Sequence, residues 1–137
     1  MNAERAKKGF IADIEDLTEE NTDFRRVLYT GKQMQLVLMA LQPGEEIAAE
    51  VHEDRDQFLR IEEGEGEVVI DGTRTKVEED HAIIVPAGAR HNLINTGDEP
   101  LLLSTLYAPP EHRDGLVQKT KKDAEAQEEH FDGKTTE

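Results

Sequence analysis

Between Arg25 and Pro110 every apolar run is short, and each is stopped by turn-forming residues. The stops are Gly31-Lys32, Pro43-Gly44, Gly64-Glu65-Gly66, Asp71-Gly72, Pro86-Ala87-Gly88, Gly97-Asp98 and Pro109-Pro110. No segment here sustains the 3.6-residue apolar period of a packed helix. The punctuation predicts strands instead: Val27–Tyr29, Met34–Leu41, Gln57–Ile61, Val68–Ile70, Thr73–Val77, Ile83–Val85, His91–Asn95 and Leu101–Tyr107. Asp71-Gly72 is the sharpest hairpin signal, because a two-residue turn needs positive φ at both central positions. Many short strands with evenly spaced Gly and Pro indicate an all-β sandwich or barrel.

The run Met34–Leu41 is apolar on both faces. It suits a strand with the core on one side and another sheet, or a second copy of the chain, on the other. A homodimer is expected on that ground. Outside the strand-rich region the pattern changes. Residues 1–9 read as a basic and polar leader, and "FIADIEDLTEENTDF" as a short extended segment with a turn or half-helix. After Pro110 the apolar content collapses. Lys121–Glu129 has helix-favouring residues but almost no apolar stripe, so a mobile tail or loosely docked helix is expected. The expected organisation is an N-terminal extension over 1–23, a β-domain over 24–110 and a polar tail over 111–137, partly helical or mobile.

Charge and composition remove several functions. A net charge of −15 repels nucleic acid and anionic membranes, so neither is an expected partner. No cysteine is present, which excludes disulfides, thiolate metal sites and cysteine nucleophiles. "MNAERAKKGF" lacks the apolar segment of a signal peptide, and no apolar run is long enough to span a bilayer. A soluble cytoplasmic protein is the expectation.

Chemistry concentrates in "GEEIAAEVHEDRDQFLRIEEG", residues 44–64. In a strand, side chains i and i+2 share a face, so Glu50 and His52 point the same way. Gln57, on a returning strand, can reach the same space, and so can His91 just after the turn "PAGAR". Two imidazoles, a carboxylate and an amide oxygen make an octahedral half-shell with open positions for water or substrate. Taken singly, Glu50 and His52 read more often as solvated surface than as ligands, His91 equally well as a hydrogen-bonded loop histidine, and Gln57 carries no signal.

The joint spacing resembles the two signature motifs of the cupin superfamily. Gly44 is followed by five residues, then Glu50-Val51-His52, four residues, Gln57, six residues and Gly64. Asp80 is followed by five residues, then Pro86-Ala87-Gly88, two residues, His91, three residues and Asn95. Asp80 stands where the family has glycine, and aspartate also tolerates turn geometry. The resemblance implies a jelly-roll barrel (double-stranded β-helix) over roughly Val27 to Tyr107, with mostly irregular extensions. It implies a metal shell made by Glu50, His52, Gln57 and His91. The family's first histidine is here Glu50 and its glutamate is here Gln57, so the carboxylate has changed places and the ligand charge stays at −1. These ligands favour Mn(II), Fe(II), Ni(II) or Zn(II). Both ends also look like small single-domain cupins described as mannose-6-phosphate-isomerase-like, on "TEENTDFRRVLYTGKQMQLVLMALQPGEEI", "VPAGARHNLINTGDEPLLLSTLYAPPEHRDG" and "TKKDAEA".

Three functions follow from that resemblance: a metal-dependent isomerase of sugars or sugar acids, an Fe(II) or Mn(II) dioxygenase, and a non-catalytic module binding a small ligand or a metal. The partner in each is a small molecule. Among other polar residues, Arg60 is expected in a salt bridge, and Arg25 and Arg26 in pairs with the abundant carboxylates rather than in the grip of an anionic substrate, the other role open to them. Gln35 reads as a strand end or as support for the site. Tyr107 and His112 flank either an exit loop or a segment folded over the cavity mouth. His81 and His130 are expected to be exposed.

Overall fold

The computed structural model describes residues 7–137, so residues 1–6 of the expected leader lie outside the described part. The first element is helix α1 (Ile14–Glu20), capped by Asp13, whose carboxylate accepts the Asp16 N–H at 3.1 Å. Glu15 and Asp16 in its first turn complement the positive end of the helix dipole. Then come β1 (Arg25–Thr30), β2 (Gln35–Leu41), β3 (Glu50–Val51), β4 (Asp56–Glu63), β5 (Glu65–Ile70), β6 (Thr73–Glu78), β7 (Ala82–Val85), β8 (Arg90–Asn95) and β9 (Leu101–Ala108). The chain closes with β10 (Val117–Gln118) and α2 (Lys121–Ala126).

Two antiparallel sheets face each other, one ordered β10-β1-β2-β9-β4-β7 and the other β3-β8-β5-β6. This is the expected all-β jelly roll. Alternation places Val37, Met39, Leu41, Leu59, Ile61, Leu101 and Leu103 inward from the larger sheet. They meet Val68, Val77 and Leu93 from the smaller one. The Asp71-Gly72 hairpin forms as expected, with φ of 48° and 84° joining β5 to β6. Asp80 has φ 68°, so aspartate does take the left-handed conformation of the motif's glycine.

The second apolar face of β2 is buried differently from the expectation. Leu38 and Ala40 point away from the core yet are buried, because α1 and the turn after it lie across the outside of the larger sheet. The helix contributes half-buried Ile14 and Leu17 and a buried Thr18. A partner copy is therefore not what covers these residues. Half-buried Leu28, Leu36, Phe58 and Leu106 and exposed Ile84 remain uncovered on that side. Among the described residues no helix is long and apolar enough to cross a membrane.

Residues 111–137 dock through polar contacts and one core residue, Leu116, with Ala124 packed against the core, too few apolar positions to make a stripe. β10 pairs with β1, and Phe24 and Val27 N–H groups donate to Lys119 and Leu116 carbonyls at 3.1 and 2.9 Å. The helix expected over Lys121–Glu129 ends at Ala126. Farther on, Thr136 N–H donates to the Thr30 carbonyl at 2.9 Å. Gln35, fully buried, holds the start of this segment. Its Nε2 donates to the His112 carbonyl at 2.7 Å, and its Oε1 accepts the His112 and Glu111 N–H groups at 2.9 and 3.2 Å.

A buried His112–Glu129 contact closes the segment on itself. Burial pushes the Glu129 carboxyl up, but the His112 ring and the Arg113 N–H outweigh it and hold the group below its ordinary 4.5. A carboxyl depressed by folding adds stability above its unfolded pKa and loses it as pH falls through the folded one. Glu129→Gln is thus expected to lower stability at neutral pH. In urea titrations, the gap from wild type should narrow as the pH falls below 4.5. A gap that is constant with pH would contradict the assignment.

Candidate metal centre

β3 and β8 build the first half of the site. They pair with Glu50 opposite His91, so the two side chains leave neighbouring strands side by side. The Pro86-Ala87-Gly88 turn sets the start of β8: Gly88, at φ 88°, donates its N–H to the His52 carbonyl at 2.9 Å. Ala87 N–H reaches the Asp56 carboxylate at 2.8 Å. These two bonds tie the loop after β3 to the turn before β8, which brings His52 toward His91. The rings lie 5.3 Å apart, and one donor atom each from Glu50, His52 and His91 falls within 4.8 Å of the others.

His91 Nδ1 lies 3.3 Å from the Ala89 carbonyl. A carbonyl can only accept, so that nitrogen carries the proton and the lone pair sits on Nε2. Burial lowers the His91 pKa, which keeps the ring neutral and able to ligate. His52 is held from both sides. Its Nε2 approaches Glu50 Oε2 to 3.0 Å, and its Nδ1 faces Glu111 Oε2 at 3.6 Å. The Glu50 contact raises the His52 pKa against the opposing effect of burial. For Glu50 burial acts upward, but His52, Arg25 and His91 outweigh it and keep the carboxyl below its ordinary value.

The larger sheet supplies the opposite wall. Gln57 on β4 is in register with Tyr107 on β9, which is in register with Gln35 on β2, so all three face inward at one level. Gln57 Nε2 donates to Thr105 Oγ1 at 3.0 Å, while its Oε1 is buried with no hydrogen-bond partner. His52 Nε2 is also buried, and what it meets is the Glu50 carboxylate at 3.0 Å. Leaving the Gln57 oxygen unsatisfied costs roughly 1–3 kcal/mol. One orphaned amide oxygen facing a carboxylate and two imidazoles fits a divalent cation with N and O ligands. Glu50, His52 and His91 are thus brought together, and Gln57 stands on the facing sheet with its oxygen available.

Glu111 escaped the sequence reading. The only signal was an acid between Tyr107 and His112, after Pro110. Arg55 fixes it: Arg55 Nε lies 3.0 Å from Glu111 Oε2 and donates to the Pro110 carbonyl at 2.9 Å. A carboxylate behind a ligating imidazole orients the ring and raises its basicity. The segment after Pro110 therefore does fold over the site. Tyr107 packs edge-on between His52 and His112, at 5.9 and 5.0 Å. Burial lifts its phenol far above the ordinary value, so it stays protonated. Arg60 makes its expected ion pairs, with Glu62 at 2.6 Å and Asp80 at 2.9 Å, and His81 and His130 are exposed. A separate cleft of about 520 Å³, lined by Glu65, Glu78, Glu79, Asp80, Asp98 and Glu99, contains none of the candidate ligands.

Comparison with known proteins agrees with this geometry. The family profile described as "Cupin domain" matches residues 37–107. Bacillus subtilis (strain 168) YrkC is 47% identical over 128 residues, covering 89% of this chain and 69% of YrkC. The crystal structure of BH2720 from Bacillus halodurans superposes with a TM-score of 0.86 at 45% identity, covering 88% of this chain and 96% of that one. Mannose-1-phosphate guanylyltransferase of Escherichia coli (strain K12) is 32% identical over 71 residues, 52% of this chain but 15% of that enzyme.

Proposed function

This chain belongs to the cupin family, and from that premise we propose that it is a divalent-metal-dependent enzyme isomerising a small polyoxygenated substrate, a sugar or sugar acid. The observation that carries the reading is the convergence of Glu50, His52 and His91 within 4.8 Å opposite the unpartnered Gln57 oxygen. Mn(II), Fe(II), Ni(II) and Zn(II) all suit those donors. Bound there, such an ion supplies positive charge that stabilises the negative charge developing on a substrate carbonyl oxygen.

The chain's own residues do the rest. Glu50 is ionised, and its side chain is 35% exposed, so it is at once a ligand and the group placed to take a proton from the carbon beside that carbonyl. His91 is neutral and contributes Nε2. Glu111 and Arg55 hold the His52 ring. Tyr107, kept as a neutral phenol, walls off water and is no base. The match to part of a mannose-1-phosphate enzyme is in keeping with a sugar-like substrate.

The test loads the protein with each metal in turn and follows proton–deuterium exchange in heavy water by NMR, using aldoses, ketoses and their acids. Metal-dependent deuterium incorporation beside the carbonyl is the expected result. A fully loaded protein that exchanges none of them overturns the isomerase. Two imidazoles and one carboxylate also satisfy the facial triad of iron oxygenases, and that second reading requires oxygen uptake by the Fe(II) form.

A further inference from the structure

One cavity touches the centre, and its wall carries a buried charge with no counter-ion. The cavity measures about 260 Å³, and Arg25, Ala48, Glu50, Lys121, Ala124 and Glu125 are among its lining residues. Glu50 belongs both to this cavity and to the cluster of candidate ligands, so a molecule entering it meets the centre at Glu50.

Arg25, expected from the sequence to pair with an acid, does not. Arg26 approaches Asp23 at 4.0 Å, but among the described residues no carboxylate lies within ion-pair distance of Arg25. The residue is only 8% exposed. Its Nη1 donates to Gln118 Oε1 at 2.6 Å, its guanidinium carbon stands 5.3 Å from the Phe24 ring centre, and its Nε is buried without a partner. Glu50 and Glu129 feel its charge without contacting it. A buried cation is costly unless something anionic meets it. Gln118 and Phe24 fix the guanidinium's orientation, and Arg25 lines the cavity with its charge unmatched.

Two further features mark the same wall. Lys121 adds a second cation, so positive charge exceeds that of Glu50 and Glu125 once a divalent ion is present. Ala48 holds φ 95°, strained for a residue with a Cβ, and its N–H is tied to Asn92 Oδ1 at 2.9 Å. A guanidinium matches the planar, two-oxygen geometry of a carboxylate. The volume is below the range of about 300–1,000 Å³ typical of drug-sized ligands, which restricts the guest to a small molecule.

We propose that this cavity binds a small hydroxy- or oxo-carboxylic acid, its carboxylate on Arg25 with Lys121 beside it and its other oxygens turned toward the centre at Glu50. The proposal rests on the metal-dependent reading above and narrows the substrate to an acid.

The experiment is calorimetric titration of metal-loaded protein with glycerate, gluconate and galacturonate, with glucose and glucose 6-phosphate as controls, and elemental analysis of the same samples. At least one acid is expected to bind, glucose not to. Arg25→Gln should weaken that binding by about 10–100-fold, the worth of a charge-assisted hydrogen bond. Lys121→Gln should weaken it by about 3-fold, as for a more exposed charge. Metal content should be unchanged in both. If Arg25→Gln does not fold, Arg25→Lys, which keeps the charge but loses the fork, and Lys121→Gln carry the same test. Equal affinity in wild type and variants, equal binding of glucose, or preference for the phosphate ester would overturn the proposal. Retained metal with no acid bound sinks this inference alone. Arg25-dependent acid binding without metal sinks the metal reading alone.

Discussion

Purified His91→Ala protein is expected to carry almost no divalent metal, and His52→Ala the same, where wild type carries close to one equivalent. Each substitution removes one of two imidazoles from a set whose remaining donors are a carboxylate and an amide oxygen. Loss of a residue that merely supports a ligand costs about 10–100-fold in affinity, so loss of the ligand itself should exceed that. The fold should survive. The His91 ring makes one long hydrogen bond, to the Ala89 carbonyl, and packs against His52, which lies in the loop after β3. The apo forms should therefore lose no more than about 1–2 kcal/mol, within the ordinary span of single substitutions. Elemental analysis beside circular dichroism separates the two effects. Unchanged metal in both folded variants would dissolve the site.

The second large effect falls on stability. Gly64 sits at φ 93° between β4 and β5, and a Cβ there would lie 2.8 Å from the Pro100 carbonyl oxygen and 3.1 Å from Leu101 Cα. Both are backbone atoms and cannot swing aside. Gly64→Ala combines a strained φ with that clash, and about 3 kcal/mol or more of destabilisation is expected. The corresponding fall in Tm is roughly 10 °C for a domain of this size. Gly72→Ala is the control: φ is 84°, but nothing lies within 4 Å of the added carbon. It should cost only about 1 kcal/mol. Equal losses at the two positions would show that the Pro100 contact is immaterial. The comparison also explains why the first motif must end in glycine here: β5 leaves β4 directly beneath the start of β9.

The strands were legible because glycine and proline punctuate them, and Asp71-Gly72 because only one kind of turn accepts both residues. Glu50 and His52 could be paired by alternation alone. His91 could not: its place opposite Glu50 depends on β3, a two-residue strand too short to leave a pattern. α1 was half-visible because its one fully buried residue is Thr18, so no apolar stripe marks it. The docking of residues 111–137 was invisible for a related reason. Apart from the lone core residue Leu116 it is made by side-chain amides and backbone groups, with Gln35 at the centre, and hydrogen bonds leave no periodicity in composition. Glu111 and Arg25 join the site only through that docking and through β1. Their neighbours are distant in sequence and their types unremarkable in an acidic chain.

The row of rings from His91 through His52 and Tyr107 to His112 has a practical side. The chain has two tyrosines and no tryptophan. Tyr29 lies outside the site, its ring 5.9 Å from Phe10, whereas Tyr107 lies edge-on against a candidate ligand. Near-ultraviolet absorption and emission therefore come from one phenol outside the site and one inside it. With Tyr29→Phe in the background, what remains is a built-in chromophore reporting on the centre, visible without a label or an added indicator.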